Sequence, residues 1–154
     1  MFKKILVPLD GSDMAEAVLQ PVRELADCMG ADVIALRVVV PIAMDYAAMR
    51  GDIVWQKQLE QSMMTEADTY VHRIADRLKS QGLKATSALK YELAVADTIL
   101  AYADQNGVDL IAMSTHGRSG IGRWLIGSVA DRVVHGARIP VLLVRPEASK
   151  PHGA

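Results

Sequence analysis

Cysteine is nearly absent from this chain. One occurs in 154 residues, Cys28, so no internal disulfide framework can form, which suits a reducing compartment. Aromatic side chains are scarce, at 5% with a single phenylalanine, and eight methionines serve as gap-filling core residues in their stead. The formal net charge is only −1, which leaves no electrostatic case for nucleic acid or an anionic membrane surface. No apolar run approaches the ~20 residues of a membrane span. The opening Met1-Phe2-Lys3-Lys4-Ile5-Leu6-Val7-Pro8-Leu9-Asp10 imitates a signal peptide, but its apolar run breaks at Pro8 and Asp10 and no small-residue cleavage site follows. These absences lead to the expectation of a soluble, cytoplasmic protein without nucleic-acid or membrane partners. His72, His135 and His152 have no carboxylate or cysteine at ligand spacing, so no metal site is expected.

What is present is a core. With 51% hydrophobic and 23% charged residues, the chain fits one globular domain, taken as 1–145. The proline-containing tail 146–154 is expected to be disordered. Ile5-Leu6-Val7-Pro8-Leu9 is a continuous apolar run of the kind found in strands buried on both faces, with Pro8 near its end. Ser12 or Asp13 then caps a helix carrying Ala15, Val18, Leu19, Val22, Leu25, Ala26 and Met29, bent at Pro21 and closed by Gly30. Cys28 is assigned to its apolar face as buried filler.

Val33 to Val40 gives a second strand, followed by an unperiodic stretch, 41–52, with Met44, Tyr46 and Met49, which reads as a variable loop rather than a flap. A long amphipathic helix from Ile53 to Ser80 aligns Leu59, Met63, Ala67, Tyr70, Ile74 and Leu78, leaving His72 outside. Lys84–Glu92 is a third strand nearer the sheet edge, Ala94 to about Asn106 a helix, and Leu110–Met113 a fourth strand. Ser128–Gly136 and Ile139–Val144 supply a last helix and strand. Alternating strands and helices imply a parallel sheet covered on both faces, with ligands beyond the carboxyl ends of the strands at the switch in strand order.

The stretch Ser114-Thr115-His116-Gly117-Arg118-Ser119-Gly120-Ile121-Gly122-Arg123-Trp124-Leu125-Ile126-Gly127-Ser128-Val129 carries four glycines, two arginines and several hydroxyls between a strand and a helix. Backbone N–H groups gathered at a helix start favour an anion, phosphate above all. The stretch is neither a Walker loop nor Gly-x-Gly-x-x-Gly, because Leu125 stands where the third glycine would be. If the first and fourth strands are adjacent, Asp10 opens into the same crevice, where a carboxylate would suit a ribose hydroxyl; alone it reads as a turn residue or helix cap.

Together these residues resemble the universal stress protein family from about Phe2 to Arg145. The pieces are Lys4 to Ser12, Ala35 to Val38, Asp109 to Arg118, Gly127-Ser128-Val129 and Pro140 to Val144. Nucleotide-binding members carry Gly-x-x-Gly, nine residues, then Gly-Ser/Thr; here Gly117, nine residues and Gly127-Ser128 match the second half. The resemblance implies an α/β, Rossmann-like open sheet of five parallel strands in the order 3-2-1-4-5, with helices on both faces. It also implies a homodimer through the last strand, Val141 to Val144, and in one branch the binding of ATP, with Mg2+; the other branch lacks the glycine pattern and binds no ATP. Carried over by position, Pro8, Leu9 and Asp10 would flank adenine and ribose, and Val38 and Met113 would touch adenine. Gly117, Arg118, Gly127, Ser128 and Val129 would surround the phosphates. Ser114 stands where the family has its first glycine: a need for positive φ or bare backbone there would weaken binding, a need for smallness alone would not.

Three functions follow. The first is a dimeric stress-response protein whose ATP occupancy tunes its conformation or partners. The second is a slow ATPase or nucleotidyl transferase, with His116 as base and Arg118 or Arg123 on the phosphates; the lack of a Walker lysine and of an acidic pair for magnesium weighs against it. The third is a dimeric interaction module without nucleotide. Trp124 either packs beneath the phosphate turn or faces a partner.

Overall fold

The computed structural model describes residues 1–42, 53–115 and 126–146. The order of elements is β1 (Lys4–Leu9), α1 (Asp13–Glu16), α2 (Leu19–Met29), β2 (Asp32–Val39), α3 (Ile53–Ser80), β3 (Ala85–Tyr91), α4 (Val95–Gln105), β4 (Leu110–Ser114), α5 (Ser128–Gly136) and β5 (Val141–Val144). The strands form one parallel sheet in the order β3-β2-β1-β4-β5. This is the expected doubly covered α/β architecture. The expectations for 43–52 and for the tail beyond Pro146 fall outside the described residues.

Side chains alternate between the two faces because the strand period is two. Ile5, Val7, Leu9, Val33 and Ala35 point into one core with Val18, Leu19, Val22 and Ala26 of the first helical stretch and Val71, Ile74 and Leu78 of α3. Leu6, Ile34, Leu36, Val38, Ile111 and Met113 point the other way, against Ala96, Ile99 and Ala103 of α4 and Ala130 and Val133 of α5. Burial on both faces explains why the central strands read as unbroken apolar runs.

Two local expectations are corrected. The chain after Ser12 is not one bent helix. It breaks at Ala17-Val18, whose amides make long contacts to Met14 O (3.4 Å) and Ala15 O (3.5 Å), and α2 starts afresh at Leu19. Pro21 therefore lies in the first turn of α2, where backbone donors have no intrahelical partner and proline removes nothing. Cys28 is exposed. At 100° per residue it lies about half a turn from Leu19, opposite the stripe that Leu19, Val22 and Ala26 bury.

His72 and His135 are surface residues, as expected for His72, but each does have a carboxylate one helical turn back. His72 Nδ1 lies 3.3 Å from Asp68 Oδ1, and His135 Nδ1 lies 3.5 Å from Asp131 Oδ1. His152 lies outside the described residues. At the opening edge of the sheet, the Asp109 carboxylate accepts the backbone N–H of Lys3 (2.8 Å) and Lys4 (3.1 Å), pinning the start of β1 beside β4.

The buried stripe of α3 sets its contribution to stability. Ile74, 1% exposed, sits among Val71, Ala75 and the sheet. Ile74→Ala is expected to destabilise the fold by about 2–5 kcal/mol, whereas Val54→Ala, at a position 66% exposed, is expected to change stability by less than about 0.5 kcal/mol. Urea unfolding of the two variants checks the contrast.

Candidate functional site

β1 is the hinge of the site. It pairs with β2 through Leu9↔Arg37, but with β4 only at Ile5↔Leu110 and Leu6↔Ile111. Lys4 O accepts from Asp109 N and Lys3 O from Asp32 N, so even-numbered residues of β1 present their backbone groups to β4. The N–H that Pro8 lacks would therefore have pointed to β4, beyond the last pair. The ladder stops where proline cannot continue it, and a crevice opens between the carboxyl ends of β1 and β4, at the switch in strand order.

That crevice is a cavity of about 380 Å³ lined among others by Pro8, Leu9, Asp10, Val38, Met113, Gly127, Ser128 and Val129. Eight of the ten residues selected from sequence thus line one cavity. The other two, Gly117 and Arg118, lie outside the described residues, as do His116, Arg123 and Trp124. The lining also includes Ala15, Arg37, Met63 and Thr115, which the sequence reading had not selected. For Arg37 a signal existed: it is the one charged residue within the run Val33–Val40.

Asp10 follows β1 and is half-buried. Its Oδ1 accepts from Ser12 N (2.9 Å) and from Ser12 Oγ (2.6 Å), closing a turn around Gly11, whose φ of 86° requires glycine. Ser12 Oγ in turn accepts from Ala15 N (3.1 Å) and caps α1. Both readings of Asp10 are compatible, since a carboxylate offers about four acceptor sites.

The opposite wall is the amino end of α5. Gly127 is its N-cap, and Gly127 N donates to Thr115 O at 2.8 Å. A Cβ at Gly127 would stand 3.3 Å from that same oxygen, so glycine permits the close approach of the two segments. The amides of Ser128, Val129 and Ala130 have no partner within the helix and belong to residues that line the cavity, with the helix dipole behind them. Ser114, buried at 7% exposure, lies at the end of β4 paired with Val144, and no described non-glycine residue has positive φ. The backbone at Ser114 does not need glycine.

Between these walls the lining is apolar: Pro8, Leu36, Val38, Ile99 and Met113. A flat apolar group, a hydroxyl-bearing middle and an anionic end match slot, carboxylate and helix start in turn. Behind the Asp10 turn lies Tyr70 of α3, whose hydroxyl is buried beside the Glu16 carboxylate. Burial foremost, then the Glu16 carboxylate and more distantly Asp10, push its pKa well above the ordinary tyrosine range, while the Arg37 guanidinium pulls it back slightly.

The model of the Universal stress protein family matches residues 1–145. Universal stress protein MJ0577 of Methanocaldococcus jannaschii is 27% identical over 160 residues, covering 97% of this chain and 98% of its own. The solved structure of MJ0577 is similar to this chain with a TM-score of 0.81 at 28% identity, over 97% of this chain and 99% of that one. A universal stress protein solved in complex with cAMP has a TM-score of 0.68 at 20% identity, over 95% and 98% of the two chains. The universal stress protein of Archaeoglobus fulgidus in complex with dAMP has a TM-score of 0.66 at 21% identity, over 93% and 97%.

The environment of Tyr70 has a consequence at alkaline pH. Above pH ~10 an unfolded tyrosine releases its proton while Tyr70 in the native state retains it, so stability falls as pH rises through that range. Between about pH 9 and 11 the melting temperature of the wild type is expected to drop further than that of Tyr70→Phe.

Proposed function

This chain belongs to the universal stress protein family, and from that premise we propose that it binds a purine nucleotide, ATP in the first instance, in the β1–β4 crevice. The observation that carries this reading is the convergence on one cavity of Asp10, the apolar pair Val38 and Met113, and the amino end of α5 at Gly127-Ser128-Val129. Adenine would lie between Val38 and Met113, with Pro8 and Leu9 beside it. The Asp10 carboxylate would accept from ribose, and the phosphates would meet the α5 amides and the Ser128 hydroxyl, with Gly117 and Arg118 completing the phosphate side. Complexes of two family members with cAMP and dAMP support a nucleotide in this fold. A cavity of about 380 Å³ is also of ligand-binding size.

Among the described residues no group of three His, Cys, Asp or Glu could hold a metal. In this reading Mg2+ accompanies ATP on its phosphates rather than on a protein cage. Occupancy, not turnover, is the function we assign. Asp10, the acid of the described lining, is engaged by the Ser12 turn rather than held ready for proton transfer. The protein would act in the cytoplasm as a stress-response regulator whose bound state alters its conformation or its partners.

β5 occupies the sheet edge, and its four residues are all half-buried. An edge strand of this kind can pair with its own copy across a two-fold axis, which is the dimer we propose. Light scattering at increasing concentration is expected to give twice the chain mass, and Leu142→Lys to return the monomer.

Titration with magnesium-ATP tests the binding site. ATP is expected to raise the melting temperature, since a ligand of the native state stabilises it. Ser128→Asp keeps a residue that suits the first turn of a helix but sets a negative charge against the phosphates. It is expected to weaken binding more than about tenfold, the effect of ~1.4 kcal/mol, with the fold intact by circular dichroism. An unchanged melting temperature at saturating ATP would exclude the nucleotide reading.

A further inference from the structure

We propose that Glu16 is a positioning residue for the site: through its ion pairs with Arg73 and Arg77 of α3 it holds α1, and with it the Asp10–Ser12 turn, in place. The inference rests on the nucleotide reading above, in which Asp10 meets ribose. α1 has only four residues, too few to stabilise itself once the cost of helix nucleation is counted. Its closing backbone contacts are long, at 3.2 Å for Glu16 N to Ser12 O, 3.4 Å for Ala17 N to Met14 O and 3.5 Å for Val18 N to Ala15 O. Side chains fasten it at both ends. At the front, Ser12 joins Ala15 N to Asp10 Oδ1. At the back, Glu16 Oε2 takes Arg77 Nη1 at 3.3 Å, and Oε1 lies 4.0 Å from Arg73 Nη2.

The far side of this link is fixed. The Arg73 guanidinium rests over the Tyr70 ring, 5.5 Å from its centroid, and Tyr70 packs against the core that Val71, Ile74 and Leu78 of α3 enter. Ala15 of α1 and Met63 of α3 both line the cavity. A connected path therefore runs from Asp10 through Ser12, α1 and Glu16 to the rigid part of α3. None of Glu16, Arg73 and Arg77 lines the cavity, so they do not act on a ligand by direct contact. Glu16 is 21% exposed and its partners 51% and 69%, so the pairs can place α1 while adding little to global stability.

The test is the dissociation constant for magnesium-ATP in the wild type, Glu16→Gln, the double variant Arg73→Gln/Arg77→Gln, and the triple combination. Glu16→Gln is expected to weaken binding about two- to fivefold, the range that losing a partly exposed ion pair allows, with an unchanged unfolding midpoint. The triple variant is expected to bind no more weakly than the double, because residues of one network are not additive. The difference between wild type and Glu16→Gln is expected to shrink toward nothing near 1 M salt, where screening acts within ~3 Å. Equal binding by wild type and Glu16→Gln at low salt, or additive losses in the triple variant, overturns the positioning role and leaves the nucleotide site standing. A wild type that binds no magnesium-ATP overturns the nucleotide reading, and this inference falls with it.

Discussion

The parting of β1 from β4 after Leu6 is the constraint on which the rest of the molecule depends. A parallel ladder carried to the end of β1 would seal the sheet and leave no room at the strand ends. Pro8 prevents this on the side where its missing donor would have been used, while the β2 side stays paired to Leu9. The opening therefore has one rigid wall, β1 with β2, and one formed where β4 turns toward α5. At the other end of the sheet the Asp109 carboxylate holds β1 and β4 together by accepting the backbone N–H groups of Lys3 and Lys4. The two strands are clamped at their starts and released at their ends, which places the gap at the switch in strand order without loosening the core.

Polar groups are arranged around that gap on separate elements. The carboxylate of Asp10 sits on a turn that needs Gly11, and the residues at the start of α5 also line the cavity. A ligand spanning the two would meet negative charge at one end and a positive dipole at the other, which selects an orientation as well as a class. Arg37 and Met63 extend the lining toward β2 and α3, so the sheet and the helices on both of its faces contribute to one cavity.

Much of this was legible in the residues. The bounds of α3 and α5, the double burial of the central strands and the convergence of Asp10 with Gly127 and Ser128 followed from periodicity, capping residues and the family resemblance. What was not legible depends on contacts distant in sequence. Helical spacing continues across Ala17 and Val18, so nothing in the pattern marks the break between α1 and α2. Cys28 was misassigned because a helix of eleven residues offers several near-apolar stripes, and only the sheet selects one. Glu16 and Arg77 are 61 positions apart, and Asp109 lies 106 positions from Lys3, beyond any local pattern.

Ser114 shows how structure and sequence divide the question of what a motif requires. From sequence, a serine in place of the family's first glycine could signify either a lost backbone conformation or a harmless exchange of small residues. In the fold the position is an ordinary strand residue, paired with Val144, and its φ is not positive. A close backbone approach occurs at Gly127, where a Cβ would press on the Thr115 carbonyl at 3.3 Å. That oxygen cannot easily retreat, because it accepts the Gly127 amide, and Thr115 N is itself bonded to Val144 O at 2.9 Å. The glycine that the β4–α5 junction needs is thus the one this chain keeps, and the one it has exchanged occupies a position whose backbone any small residue can adopt.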